Sequence, residues 1–318
     1  MNFTCVNNAT GALEGYCLIK TAEQKTTQKG LPYLDMLLMD ADGEITAKFW
    51  DYRPEAHGNF APNELVKVRG TVSVYNGQDQ FRVERLRRAD ERDDVRMEDF
   101  VPSAPETGED MLAEIVLTAE SFVNQDLRRL VLSILEERRA QLLYWPAAFR
   151  LHHAVRAGLL WHTLSMLRLA RAIAPLYPQL NAELLYTGVI LHDIEKLTEF
   201  DVPPTGLASG YTLKGNLVGH LVGGAVYLEQ KARELELPDE LLILLQHMLI
   251  SHHGEPEFGA AMRPMFLEAE VLSEIDLLDA RVNEVSAALA GVEPGAFTSK
   301  IWAMDNRKFY KHTYEAQG

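Results

Sequence analysis

Residues 191–200 read LHDIEKLTEF, and this stretch decides how the second half of the chain folds. His192 and Asp193 stand side by side near the end of an apolar helical run. Lys196 follows at i+4 and i+3, so one helical turn is expected to present all three. Helical spacing extends outward from there: apolar residues recur with it from Met111 onward, as in EDMLAEIVLTAESFVNQDLRRLVLSILEERRAQLL, and no strand-like alternation follows. Residues 111–318 are therefore expected to be all helical, with the final stretch RKFYKHTYEAQG a frayed tail.

Upstream the pattern changes. GYCLIK, LPYLDMLLMD, EITAKFWD, ELVKVRGTVSVY and QFRVERL are short, rich in β-branched and aromatic residues, and separated by turn signals, which predicts five strands between residues 15 and 88. Asp42-Gly43 and Asn76-Gly77 are dipeptides that tolerate the positive φ of a tight hairpin turn. Five antiparallel strands in about 75 residues suit an OB-like barrel, a fold that often binds oligonucleotides, and an SH3-like barrel fits the count as well. Residues 91–110, with a charge run followed by Pro102, Pro105 and Gly108, read as a linker that is helical in part. The expected fold class is multidomain α and β: an OB-like barrel over residues 1–90, then an all-α domain over 111–318.

Length and composition set the bounds. A chain of 318 residues is comfortable for two domains, and 47% apolar with 24% charged residues is the balance of an ordinary globular protein. The N-terminal residues lack a basic segment followed by an apolar core, and no run of about 18 apolar residues occurs, so no membrane contact and a cytoplasmic location are expected. Only Cys5 and Cys17 are present, without zinc-ligand spacing, which argues against a disulfide framework or a zinc finger. A net charge of −15 argues against coating of nucleic acid by bulk attraction. The acidity is uneven: residues 1–90 hold 11 Lys and Arg against 12 Asp and Glu, and the rest 20 against 34. Lys67, Arg69, Arg82, Arg85, Arg87 and Arg88 face only Asp79 and Glu84, a local net of +4 suited to a phosphate backbone.

Eight of ten histidines (His152, His153, His162, His192, His220, His247, His252 and His253) fall within about a hundred residues of the helical part. Adjacent His and Asp can together ligate one or two divalent ions, since the carboxylate can bridge, and Lys196 can offset phosphate charge. The dipeptide alone says little, because 10 His and 17 Asp in this length give about half an occurrence by chance. Its company decides: HHAVRAGLLWHTLSML with His162, YTLKGNLVGHL with His220, SHHGEPEFG with His252 and His253, and IDLLDA with Asp276, each on its own helical segment.

The order H, HD, H, HH, D over residues 150–281 resembles the metal-binding signature of the HD superfamily of phosphohydrolases. Together with LHDIEKLTEF and a preceding OB-like domain carrying FWD, these motifs resemble the YhaM-type 3′-5′ exoribonucleases over nearly the whole chain. The resemblance implies an HD-type helical domain in which His162, His192, Asp193 and Asp276 hold a metal. His220 with His252 or His253 would complete a second site, and Lys196 would contact phosphate. It further implies hydrolysis of single-stranded RNA or DNA from the 3′ end by a water activated between two divalent ions. One departure is Glu195, where relatives commonly carry glycine; its carboxylate is expected to face solvent.

The absence of cysteine from the helical part leaves nitrogen and oxygen donors, favouring Mn²⁺ first, then Fe²⁺ or Mg²⁺, over a structural zinc. Asp193, Lys196 and His253 are the candidate catalytic residues, one of the paired histidines binding metal while the other orients water or moves a proton. His153 is a candidate to line the substrate site, against the blander reading of a core or capping histidine, and His247 is read as structural. On the barrel, Arg82, Arg85 and Arg87 are candidate phosphate contacts, and Tyr33, Trp50 and Phe81 candidate stacking rings, with half the aromatics expected in the core. Two rival functions stay open: an HD phosphohydrolase of small or cyclic nucleotides with a regulatory barrel, and a non-catalytic nucleic-acid binder. A homo-oligomer is compatible with either.

Overall fold

β1 (Thr4–Asn7), β2 (Ala12–Thr26), β3 (Pro32–Asp40), β4 (Gly43–Trp50), β5 (Leu65–Tyr75) and β6 (Gln78–Arg88) form one sheet in the computed structural model, with α1 (Pro54–His57) between β4 and β5. Residues 2–40, 42–149 and 153–314 are described. The sheet order is β1-β2-β3-β4-β6-β5, and β2 pairs again with β5, closing the last five strands into a barrel. β4 and β6 run parallel and all other pairs antiparallel. This closed five-stranded topology is that of the OB fold.

Period-2 alternation drives the closure: Leu34, Met36 and Leu38 of β3, Ala47 and Phe49 of β4, Val66 and Val68 of β5, and Phe81 and Val83 of β6 point inward and are buried together. Phe81 is therefore a core residue, fully buried and stacked on Phe3, which corrects its reading as a base-stacking ring. Asn76 and Gly77 both take positive φ, as a primed hairpin turn requires. The turn before β4 is held differently: the Asp40 carboxylate accepts from the backbone N–H groups of Asp42 and Gly43. β1, an edge strand on β2, has no counterpart in the sequence reading.

Chain contacts divide the molecule into two units after Ser103, with residues 203–205 grouped with the first. The second unit holds α2 (Gly108–Glu120), α3 (Gln125–Leu142), α4 (Gly158–Ile173), α5 (Ala182–Leu191), α6 (Lys196–Glu199), α7 (Leu213–Leu217), α8 (Gly219–Glu234), α9 (Asp239–Ser251) and α10 (Leu267–Ala290). α2 starts inside the expected linker, because Thr107 caps it by accepting from Asp110 N. Two short strands, β7 (Phe200–Asp201) and β8 (Gly210–Tyr211), interrupt the helices. Residues 307–311, expected to fray, instead pair back onto 295–301.

α5 runs through the centre of this unit, with Leu184, Leu185, Val189, Ile190 and Leu191 all buried. Full burial of each such side chain contributes about 1.5–3 kcal/mol. Gly188 lets α9 approach closely: a Cβ there would lie 2.2 Å from Met248 Cε. The C-termini of α5 and α9 are thereby drawn together.

Candidate metal centre

Both of those C-termini end in a histidine. His192 caps α5 and His252 caps α9, and each folds its Nδ1 back onto the carbonyl three residues earlier, Val189 O and Leu249 O, at 2.8 Å. Helix ends leave such carbonyls without a donor, so the ring N–H satisfies one and leaves Nε2 as a lone pair aimed away from the helix. The chain does not continue as a helix past His192, contrary to the single helical turn read from the sequence. Residues 192–195 form a turn, held by Ile194 N to Leu191 O and Lys196 N to Asp193 O, before α6 begins.

The turn buries Asp193 at the focus of the site. Its Oδ2 lies 3.2 Å from His192 Nε2, 3.9 Å from His162 Nε2 and 2.7 Å from Lys196 Nζ. Its Oδ1 lies 3.3 Å from His220 Nε2 and 3.7 Å from His252 Nε2. Asp276, on α10, is 3.2 Å from His162 Nε2, and His162 Nε2 is 3.3 Å from His192 Nε2. Donor atoms of His162, His192 and Asp193, of His192, His252 and Asp276, and of His220, His252 and His253 each lie within 4.8 Å of one another. Every metal-ligand candidate read from the sequence is brought into this one cluster.

Two carboxylates aim the remaining imidazoles. Asp279 Oδ2 accepts from His162 Nδ1 at 2.8 Å and His153 Nε2 at 2.9 Å, while its other oxygen takes Ser165 Oγ. Glu199 accepts from His220 Nδ1 at 3.0 Å. Neither carboxylate was picked out by the sequence reading. For Asp279 a signal existed, since it sits one turn beyond Asp276 on the same helix; for Glu199 the partner is 21 residues away and nothing local marks it. His153 is tied to Asp279, packed edge-on against Trp161, and is not among the residues lining the cavity, in contrast to its expected place. His152 lies outside the described residues. His247 accepts from Met265 N at 3.0 Å.

Charge follows this geometry. Burial disfavours the charged form of His162, but hydrogen bonds to Asp276 and Asp279 outweigh it and raise its pKa to about 9. Burial likewise opposes ionisation of Asp193, Asp276 and Asp279, yet the surrounding cations hold all three well below the usual carboxylate range. Burial lowers the pKa of His252 and His253. Asp193 Oδ1, His220 Nε2, His252 Nε2 and His253 Nδ1 are buried without a hydrogen-bond partner among the described residues. With Nδ1 of His220 and His252 donating elsewhere, lone pairs of nitrogen and carboxylate oxygen face one another across 3.3 and 3.7 Å. A proton or a bound cation relieves that arrangement, and spacings of about 3 to 3.5 Å are those of donors each about 2.0–2.2 Å from one ion. The cluster is built to bind metal.

Above it opens a cavity of about 910 Å³. Asp193, Lys196, Glu199, His220, His252, His253 and Asp276 form its polar floor, and Phe149, Phe200, Tyr211 and Phe258 line its walls. Tyr211 meets Phe149 at 6.0 Å and Phe200 at 5.2 Å between ring centroids. This aromatic wall was also missed from sequence, its members being scattered over 110 positions. Glu195 does not face solvent as expected: it is 2% exposed, bonded to Thr198 Oγ1 and Lys214 Nζ at 2.7 Å each, with Arg138 at 3.5 Å. These partners absorb its charge beside the site.

On the barrel, Tyr33 and Trp50 are cross-strand neighbours with centroids 4.8 Å apart, and Lys48 Nζ lies over both rings. Arg82 aligns with Lys48 in the next strand and, like Arg85, has no ion-pair partner among the described residues. Arg87 differs: both its terminal nitrogens are held by Asp93, at 2.6 and 2.7 Å. It serves the barrel rather than an open phosphate site.

A helical unit that gathers His162, His192-Asp193 and Asp276 around one point is an HD domain, and the HD domain family matches residues 159–281. The 3′-5′ exoribonuclease YhaM of Bacillus subtilis (strain 168) is 38% identical over 302 residues, covering 95% of this chain and 95% of the relative. That of Geobacillus sp. (strain WCH70) is 40% identical over 301 residues, covering 95% and 92%. The chain belongs to the YhaM 3′-5′ exoribonuclease family. Among solved structures, the protein PriB from Ralstonia solanacearum aligns at TM-score 0.22 and 17% identity over 25% of this chain and 98% of its own. Single-stranded DNA binding protein from Thermus aquaticus aligns at TM-score 0.24 and 13% identity, covering 27% and 43%. No helix among the described residues is long and apolar enough to cross a membrane.

Proposed function

We propose that the chain is a metal-dependent exoribonuclease that removes nucleotides from the 3′ end of single-stranded RNA. The observation that carries this reading is the buried Asp193 carboxylate, with histidines facing both of its oxygens, at the floor of an open, aromatic-walled cavity. The polarity follows from family membership. In this reading His162, His192, Asp193 and Asp276 would hold one divalent ion, and Asp193, His220 and His252 would be placed to hold a second. Mn²⁺ ranks first, with Fe²⁺ or Mg²⁺ next, because every donor is nitrogen or oxygen. When bound, such ions acidify a water nucleophile and offset charge building on the phosphate.

The chain supplies the rest. Lys196, its side chain 12% exposed into the cavity, pairs with a phosphate oxygen. His253, which lines the floor and whose Nδ1 is buried without a partner among the described residues, would give a proton to the leaving oxygen as the phosphodiester bond breaks. Tyr211 and Phe149 take the terminal base, while Tyr33 and Trp50 stack on bases of the strand, with Lys48 and Arg82 on its phosphates. An RNA substrate agrees with the cytoplasmic setting expected from the sequence.

The test is incubation of 5′-labelled single-stranded RNA with the protein and Mn²⁺. A ladder shortening from the 3′ end with release of nucleoside monophosphates is expected, and Asp193→Ala should abolish it. Intact RNA, or an active Asp193→Ala variant, overturns the reading, and faster turnover of small or cyclic nucleotides would favour the rival phosphohydrolase.

A further inference from the structure

Residues 295–311 form a hairpin of their own beyond α10. Phe297 bridges Tyr310 and Ile301 bridges Arg307, with Thr298 N to Phe309 O at 2.9 Å and Gly295 N to Lys311 O at 2.7 Å. The turn is formed by Asp305 and Asn306, both at φ 56, and closed by Arg307 N to Met304 O at 3.0 Å. Two successive positive-φ residues make this a primed turn, which matches the twist of paired strands. The segment is thus preformed.

Its surface carries exposed rings and cations together. Trp302 is 80% exposed, Phe297 62% and Tyr310 46%, and the Phe297 and Tyr310 rings lie 5.0 Å apart. Lys300, Arg307, Lys308 and Lys311 stand against a single carboxylate, Asp305, in a chain whose net charge is −15. Lys20, Lys67, Arg88 and Arg129 elsewhere are each paired with a carboxylate; Lys300, Lys308 and Lys311 have no ion-pair partner among the described residues. Open rings interleaved with unneutralised cations suit stacking bases and phosphates at once.

We propose that this hairpin is a further binding site for single-stranded nucleic acid, taking phosphates on its lysines and bases on Trp302 and the Phe297–Tyr310 pair. The inference rests on the exoribonuclease reading above. A second copy of the chain would meet the same rings, but burying them at a dry interface would strand the lysines set between them.

The test uses the full chain with Lys300→Gln/Lys308→Gln/Lys311→Gln together, and Trp302→Ala separately. Binding of a fluorescent oligouridylate of about 20 nucleotides is followed by anisotropy in EDTA across a salt series. The triple variant should bind about tenfold more weakly, with a log-log salt slope shallower by about two, since each phosphate contact on a single strand contributes about 0.7. Trp302→Ala should lose about fivefold or more. Hydrolysis of a dinucleotide and the melting temperature should not change. Unaltered affinity and slope in both variants, with wild type binding normally, would overturn the proposal. So would a fall in assembly mass by light scattering with strand affinity kept, which assigns the hairpin to a second copy. Failure of wild type to bind or cut RNA removes the parent reading and this one with it.

Discussion

Asp279→Asn tests whether a residue that faces no cavity governs the centre. The carboxylate now serves three donors: His162 Nδ1, His153 Nε2 and Ser165 Oγ. Asparagine keeps the shape but not the charge: its one oxygen can take the place of Oδ2 facing both imidazoles, while its NH₂ faces Ser165 Oγ, which must turn from donating to accepting. Both imidazoles then keep a bond, but to a neutral oxygen in place of a carboxylate, and the loss of two charge-assisted bonds costs about 1–3 kcal/mol in stability. Loss of such an outer partner lowers metal affinity about 10- to 100-fold, which corresponds to about 1.4–2.8 kcal/mol. Burial opposes the charge on Asp279, but its histidine partners hold its pKa well below the usual value. A depressed carboxylate stabilises the fold above its unfolded pKa of about 3.9 and loses that contribution as pH falls. The stability difference between wild type and variant should therefore be full at pH 7 and shrink in acid. Calorimetric titration of metal-free protein with Mn²⁺, alongside turnover of labelled RNA against Mn²⁺ concentration, reads the effect: a weaker Kd, with most turnover recovered at saturating metal. Unchanged Mn²⁺ affinity would refute the reasoning. Lost turnover at every Mn²⁺ concentration with affinity kept would place Asp279 at the reacting atoms instead.

Three further outcomes are expected. Glu195→Ala should cost about 1–3 kcal/mol in urea unfolding, since Arg138 and Lys214 lose a buried partner; a change within about 0.5 kcal/mol would return the residue to the surface role first read for it. Trp50→Ala should weaken single-stranded RNA binding by about 1–3 kcal/mol while sparing dinucleotide hydrolysis, whereas Arg87→Ala should lower the barrel's melting temperature with little effect on RNA affinity; the reverse pattern would exchange their roles. Burial, with Asp40 nearby, pushes the Cys17 thiol up to about 12, so thiol alkylation at pH 8 should modify exposed Cys5 and reach Cys17 only after unfolding. Equal labelling in the native state would contradict that.

What could be read from the chain beforehand followed period and order. Barrel strands alternate with period 2, and the same alternation, Phe81 and Val83 inward with Arg82 and Glu84 outward, already carried the signal that Phe81 belongs inside. Histidines in a set order on separate helical segments marked the centre, because each segment delivers one or two donors. Charges whose partners are distant in sequence were opaque: Glu195 meets Lys214 from 19 positions away, and no local pattern says whether a carboxylate is solvated or enclosed. The C-terminal hairpin escaped for a related reason. Its strands are too short for alternation to show, and the Asp305-Asn306 turn is a weaker signal than the Asn76-Gly77 one.

His162 and the Asp279 that aims it stand 117 residues apart in the chain, Asp276 comes from the same helix as Asp279, and the remaining donors arrive from three more helices. An unfolded chain presents them as scattered single ligands, so an ion has little to hold until the bundle has assembled. Metal then acts only on the finished protein, and by mass action an ion at 100 times its Kd adds about 2.7 kcal/mol to unfolding. Cellular abundance of this enzyme should therefore track metal supply: in scarcity the chain is not only idle but less stable, and so shorter-lived.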